Sequence, residues 1–325
     1  MCTSIAIKTG DFYFGRNMDL DYEFNEHVVI TPRNYPFAFR KAGVLKHHYA
    51  MMGMAAVAEN YPLYAEAANE RGLCIAGLNF PDHAYYPKEE DCRKENISPF
   101  ELIPWLLGKC ASADEAKRLL SVTHLIAIPF SRDIPLVPLH WHIADRNSSF
   151  VLEAERDGMH IYDNPVNVLT NSPSFEFQMT NLCQYLNLTV ASPENCFTKY
   201  AGLHSFGKGL GSFGLPGDFS PCSRFVKAAY LCLNSVCEKD ENSSVSQFFH
   251  ILDSVAVVNG SIEAQNGGNY FTTYASCINA DKGIYYYKTY SNSRLSAVNM
   301  HHENYDAADL KIFMIDRSRQ TAWIN

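Results

Sequence analysis

The first twenty residues, MCTSIAIKTGDFYFGRNMDL (residues 1–20), read as two strands and the turn that joins them. Residues 2–7 alternate as a strand, Thr9-Gly10-Asp11 is a turn signal, and residues 12–16 form a second strand, which together spell an antiparallel hairpin. With that turn, facing positions sum to about 20. Cys2 is then opposite Met18 and shares a sheet face with Arg16, its diagonal neighbour at roughly 7 to 8 Å, within reach of a long side chain. Asp19 falls on the other face by parity.

The hairpin matters because of what it carries. An initiator methionine followed by a residue as small as cysteine is commonly removed, and Cys2 would then hold a nucleophile and a free α-amine in one residue. The unperturbed amine titrates near ~7.7 to 8.0 and the thiol near ~8.5, so a proton passes between them at small cost. No histidine is needed to activate such a thiol. A guanidinium at position 16 favours thiolate, and Asp19 would hold the amine by a charge-assisted hydrogen bond. On these residues alone the plain alternatives stay open: a cysteine that merely follows the initiator, and an ordinary Arg and Asp at a strand end.

Outward from the hairpin, strand-like runs lie at residues 27–30, 49–54, 73–78, 139–144, 150–154 and 166–169, and two more, 273–278 and 284–289, flank a turn at 279–282. Ser112-Ala113-Asp114-Glu115 reads as a capping box opening a helix that runs to Leu120. Other helical patterns span 100–108, 225–233 and 245–257. Strands at both ends with helices grouped between and after them predict a layered α+β fold in place of a regular βαβ alternation. With no repeat and no clear linker, residues 2–325 read as one domain.

Composition narrows the function. Of 325 residues, 47% are hydrophobic and 19% charged, which supports a large core and excludes wholesale disorder. A net charge of −8 leaves no basic footprint for nucleic acid or an anionic membrane. No window approaches the roughly 18 apolar residues of a membrane span, and the first residues lack the pattern of a secretory signal. Ten cysteines without a Cys-x-x-Cys pair suggest reduced thiols in the cytoplasm. Cys232 and Cys237 read as small hydrophobes in an apolar helix. His140-Trp141-His142 sets two imidazoles on one strand face, but no acid or thiol cluster completes a metal set. Residues 202–217 hold six of the 18 glycines, a loop that either borders a site or merely connects.

Several segments together resemble the choloylglycine hydrolases, the bile salt hydrolases and penicillin V acylases of the N-terminal nucleophile superfamily. They are MCTSIAIK, FGRNMDLDYEF (14–24), AGLNFP (76–81), LTNSP (169–173), GLPGDFSPCSRF (214–225) and NYFTTYASC (269–277) followed by KGIYYYKTY (282–290). The resemblance implies a four-layer αββα sandwich with two antiparallel sheets and amide hydrolysis without metal or organic cofactor. It implies Cys2 as nucleophile and its own amine as base. Arg16 and Asp19 then flank the thiol, Arg224 joins them, and Asn79 and Asn171 build an oxyanion hole. One such donor is typically worth ~2.7 to 4 kcal/mol of transition-state stabilisation. Without the resemblance both asparagines read as turn residues.

Asn79 is followed by Phe80, as in bile salt hydrolases, whereas penicillin acylases often carry tyrosine after the Gly-Leu pair. The implied substrate is a glycine- or taurine-conjugated bile acid, cleaved through an acyl-thioester. A penicillin V or aromatic-acyl amidase is the alternative, and a non-catalytic sterol binder is a third. Met18, Leu20, Phe24, Phe130, Ile134 and Leu139 fall in segments that resemble the family's loops around the steroid; plain core is the other reading. The family likeness also suggests a homotetramer.

Overall fold

The computed structural model describes residues 1–265 and 267–325. Its strands in chain order are β1 (Cys2–Lys8), β2 (Phe12–Leu20), β3 (Glu26–Thr31), β4 (Phe37–Phe39), β5 (Gly43–Leu45), β6 (Met51–Ala58), β7 (Tyr61–Asn69), β8 (Cys74–Asn79) and β9 (Glu95–Ile97). There follow β10 (Thr123–Leu125), β11 (Leu139–Ala144), β12 (Ser149–Glu155), β13 (Gly158–Asp163), β14 (Val168–Leu169), β15 (Phe271–Asn279), β16 (Ile284–Thr289), β17 (Ser296–Asn299) and β18 (Lys311–Met314). The helices are α1 (Leu102–Lys109), α2 (Ala113–Ser121), α3 (Phe175–Leu182), α4 (Pro221–Asn234) and α5 (Glu241–Asp253).

Two antiparallel sheets dominate. One has six strands in the order β14-β1-β2-β15-β16-β17, and the other has eight in the order β13-β12-β11-β8-β7-β6-β3-β18. The hairpin pairs Cys2 with Met18, Ser4 with Arg16 and Ala6 with Phe14, the register expected from its turn. β2 runs four residues beyond its expected end because β15 pairs with its other edge as far as Leu20 and Phe271.

Alternation along the strands divides the interior into layers. In the eight-stranded sheet Val28, Ile30, Met52, Cys74, Ala76, Leu78 and Val151 face the other sheet, in one core with Phe225 and Phe248. Their neighbours Val29, Met51, Ile75, Trp141, Phe150 and Leu152 turn outward onto Leu102, Trp105 and Leu106 of α1 and Ala116 and Leu120 of α2. On the far side, β1 and β2 carry α4 and α5, where the Asn17 amide donates to the Leu252 carbonyl at 2.8 Å. The layers are thus helix, sheet, sheet, helix.

Some elements were not legible in advance. β7 carries Pro62 and Glu66 in a sequence without clean alternation, and a register shift at Ala65 breaks its period. β13 and β18 are edge strands, largely half-buried or exposed, so hydrophobic selection on them is weak. The α2 cap also differs in detail: Ser112 accepts from Glu115 N, but the Glu115 carboxylate accepts from Ala111 N, one residue earlier than a reciprocal box requires. α5 starts at Glu241, ahead of the expected 245, because Asp240 caps it by accepting from Ser243 N at 3.0 Å. α4 ends at Asn234, which leaves Cys237 outside the helix that was expected to hold it.

Candidate active site

Cys2 opens β1 at one rim of the sandwich and is 2% exposed. Its side chain lies on the inter-sheet face of the hairpin. Cys2 Sγ is 3.8 Å from Met18 Sδ, and Arg16 Nη2 lies 3.5 Å from the same sulfur, so one thioether touches both thiol and guanidinium. Arg16 crosses to the other sheet, where Nη1 donates to the carbonyls of Gly77 at 2.5 Å and Ala65 at 3.2 Å. The Ala65 carbonyl is available because of the β-bulge. Met54 faces Glu66 and Ala55 faces Tyr64, so Ala65 is the extra residue and the strand is bent there. Burial works against the Arg16 charge, but Cys2, Tyr274, Glu66 and Asp19 together hold the guanidinium above its ordinary pKa.

A second set of groups reaches Cys2 from the helix side, through its backbone. Cys2 N donates to Asn171 Oδ1 at 2.8 Å, and Arg224 Nη2 donates to that same oxygen at 2.8 Å. Arg224 Nη1 donates to the Cys2 carbonyl at 2.5 Å and to Thr3 Oγ1 at 2.6 Å. Asp19, on this face as its parity requires, accepts from Thr272 Oγ1 at 2.6 Å and has Oδ2 3.9 Å from Arg224 Nη1. Burial raises the Asp19 carboxyl pKa, opposed by Arg224 and Thr272. Burial lowers that of Arg224, opposed by Asp19 and Cys2. A second bulge, at Thr273, lets its hydroxyl donate to the Met18 carbonyl at 3.1 Å. One bulge thus lies on the strand beside β2 and the other on β7 of the facing sheet.

Cys2 forms part of the wall of a cavity of about 360 Å³. Arg16 and Asn79 line it too, as do all six residues named for the steroid: Met18, Leu20, Phe24, Phe130, Ile134 and Leu139. Asp19, Asn171 and Arg224 do not; they lie behind Cys2. Asn171 Nδ2 donates to the Asn79 carbonyl at 2.7 Å, so the two asparagines are joined directly. Met1 also lines the cavity. Its amine donates to the Asp19 carbonyl at 2.6 Å while Asp19 N donates to the Met1 carbonyl at 3.0 Å, extending the β1–β2 ladder by one residue.

Sequence reasoning missed Tyr22, Leu63, Ala65, Phe100, Ile103 and Tyr270 in the wall. Phe100 and Ile103 sit three apart at the start of an expected helix, a spacing that reads equally as core. Leu63 and Ala65 belong to the unexpected strand. The glycine-rich segment 202–217 contributes nothing to the cavity wall among the described residues. His140 and His142 do share one strand face, and both are buried with each ring nitrogen against a protein partner.

A family model described as linear amide C–N hydrolases, choloylglycine hydrolase family, matches residues 2–313. The chain is 48% identical to the bile salt hydrolase/transferase of Lactiplantibacillus plantarum, with 100% of both chains covered. Its fold matches a solved variant of the conjugated bile acid hydrolase of Clostridium perfringens with a TM-score of 0.93, at 37% identity and 100% coverage of both chains. It also matches penicillin V acylase of Agrobacterium tumefaciens with a TM-score of 0.75, over 96% of this chain and 90% of that one. At 18% identity, that second likeness is one of fold alone.

Proposed function

The chain belongs to the choloylglycine hydrolase family of linear amide C–N hydrolases, and on that premise we propose that it hydrolyses the amide of glycine- or taurine-conjugated bile acids, with Cys2 as nucleophile. One observation carries the assignment of the nucleophile. Cys2 is the wall residue whose thiol meets an apolar cavity while its backbone nitrogen is held by Asn171 and its carbonyl by Arg224. Removal of Met1 would turn that nitrogen into an α-amine already oriented beside the sulfur.

The steps follow from these contacts. The α-amine takes the thiol proton, and the sulfur adds to the amide carbonyl carbon. The developing oxyanion is met by amide donors at Asn79, whose side chain accepts and donates no hydrogen bond to the described residues. Collapse breaks the C–N bond, and glycine or taurine leaves with the proton returned by the ammonium. The bile acyl group remains on sulfur as a thioester. Water, deprotonated by the same amine, then adds to the thioester, and free bile acid departs as the thiol is restored. An amine in place of water would give acyl transfer; the Lactiplantibacillus relative is named a hydrolase/transferase. Asn171 serves here as holder of the amine more than as oxyanion donor, because its Oδ1 faces Cys2 N.

A rigid sterol fits a cavity whose wall is mostly apolar. We also infer a cytoplasmic homotetramer. No helix among the described residues is long and apolar enough to cross a membrane. Exposed thiols such as Cys92, Cys183 and Cys196 suit a reducing compartment. Segment 186–213 presents Leu186, Val190, Phe197, Tyr200, Phe206 and Phe213 to solvent, apolar side chains of the kind a subunit contact would cover.

The test is a rate comparison of the purified protein on glycocholate, taurocholate and penicillin V, alongside Cys2→Ala. Bile salt turnover should exceed that of penicillin V, and the variant should bind bile salt without cleaving it. Faster penicillin V cleavage overturns the substrate class, and hydrolysis by the alanine variant overturns the nucleophile.

A further inference from the structure

The histidine pair of residues 140 and 142, left without a role by the sequence, leads to the loop that carries Asn171. His140 and Glu153 are both fully buried. They stand on adjacent strands, β11 and β12, with His140 Nδ1 2.9 Å from Glu153 Oε1. His140 Nε2 lies 3.1 Å from the Thr170 carbonyl. A carbonyl oxygen only accepts, so Nε2 carries a hydrogen and donates it. Glu153 in turn accepts from Phe175 N, with Oε1 at 3.0 Å and Oε2 at 3.1 Å.

Thr170 and Phe175 bound the segment Thr170-Asn171-Ser172-Pro173-Ser174-Phe175. The histidine grips its first residue and the glutamate its last, and Asn171 lies between them. The imidazole plane is fixed in turn by the Phe80 ring, stacked on it at 4.3 Å between centroids and 5° between planes. Phe80 directly follows Asn79, whose carbonyl accepts from Asn171. All of these contacts converge on one polar side chain, the one whose oxygen holds Cys2 N.

The geometry points to His140 and Glu153 as a positioning pair that clamps residues 170–175 and so keeps Asn171 Oδ1 on the Cys2 amine. Neither side chain lines the cavity or touches Cys2, and their action is exerted through Asn171. This inference rests on the reading of Cys2 and its amine given above. Misplacing a base or nucleophile by about 1 Å costs roughly 100-fold in rate, while a remote sterol wall is left intact. The pair therefore bears on kcat and spares KM.

His140→Phe keeps a ring against Phe80 and removes both hydrogen bonds. The double variant His140→Phe with Glu153→Gln does the same without leaving a buried carboxylate unpaired. Glu153→Gln alone preserves the clamp, because its amide nitrogen donates to Nδ1 and its oxygen accepts from Phe175 N. On glycocholate, the two phenylalanine variants should lose kcat by roughly 10- to 100-fold with KM within about threefold, and the glutamine variant should keep at least about a third of the rate. Placing His140→Phe in an Asn171→Ala background should add less than about threefold, since both act on one contact. If a folded phenylalanine variant turns over at the parent rate, if Glu153→Gln falls as far as they do, or if the two losses multiply, the clamp is refuted. Iodoacetamide separates this from the premise. Alkylation of Cys2 that leaves the parent active refutes the nucleophile itself, whereas inactivation together with a fully active His140→Phe refutes only the clamp.

Discussion

Glu66 and Arg16 meet across the gap between the sheets, Oε2 of one 3.9 Å from Nη1 of the other, with neither side chain exposed. Hydroxyls of Tyr274, Ser276 and Tyr285 donate to the same carboxylate at 2.8, 3.0 and 2.5 Å. Burial raises the Glu66 carboxyl pKa, and Arg16 with the three hydroxyls pulls against it. Removing one partner of a buried pair strands the other charge, at ~3 to 5 kcal/mol. Glu66→Gln keeps the shape and removes the charge, so urea unfolding should show a loss of about 3 kcal/mol. An unchanged midpoint would mean that the two carbonyls on Arg16 suffice to hold it.

Met1 lines the cavity and shares two backbone hydrogen bonds with Asp19. Protein produced with the initiator aminopeptidase inhibited keeps this residue and has an amide nitrogen, not an amine, at Cys2. Its bile salt hydrolysis should fall by at least about 100-fold, the scale of losing a general base. Intact mass on the same sample reports whether methionine is retained. Full activity in the heavier species would remove the amine from the mechanism.

Ile134 is a half-buried wall residue on the loop before β11, away from the thiol's own contacts. Exchanging its side chain for serine removes apolar contact with a sterol worth about 1 to 2 kcal/mol. Ile134→Ser should raise KM for glycocholate by roughly 5- to 30-fold, with kcat within about twofold. A drop in kcat at constant KM would move Ile134 from sterol contact to chemistry.

His142 lies buried between the hydroxyls of Ser4 and Ser149, 2.9 Å from each. Burial, with a further push from His140, holds its pKa down to about 3. In the unfolded chain it takes a proton near ~6.5. Between those values the unfolded state binds a proton that the folded state refuses, so stability falls as pH drops, by at most ~1.4 kcal/mol per unit from this group. Above ~6.5 the imidazole is neutral in both states and the dependence vanishes. His142→Gln, which retains a donor and an acceptor, should flatten the slope of unfolding free energy from pH 6 to 4, the range over which ~1.4 kcal/mol per unit applies. Equal slopes in both proteins would exclude His142 as its source.

Phe197 and Phe206 are 88% and 94% exposed. Phe197→Asp with Phe206→Asp should convert the proposed tetramer to smaller species by light scattering, because a charge in a dry interface is left unpaired. A parent protein that is already monomeric would remove the assembly.

The hairpin register was readable because it depends on a turn and a period of two, both local. Six wall residues were found by likeness to known segments, since a hydrophobic side chain lining a cavity and one filling a core obey the same pattern. The helix-side network was beyond local reasoning. Arg224 meets the Cys2 carbonyl from 222 positions away, and nothing in the period of α4 says which strand end its guanidinium will reach. Glu66 was hidden twice over, on a strand whose bulge disguises its alternation and with a charge that ordinarily marks a surface. Parity did place Asp19 on the face away from the thiol; what it lacked was the helix that brings Arg224 to meet it there.

β1 presents its first residue to two different neighbourhoods, the thiol to the apolar hollow and the main chain to the arginine, asparagine and aspartate beyond. The groups that hold the nitrogen and carbonyl of Cys2 therefore reside on the side of the backbone away from the hollow, while Arg16 keeps its charge on the thiol's own side. Loops around the hollow are free to drift toward another acyl group without disturbing the ionic lattice behind, and that lattice can be tuned without reshaping the mouth. A fold so partitioned is suited to acquiring new substrates while retaining one reaction.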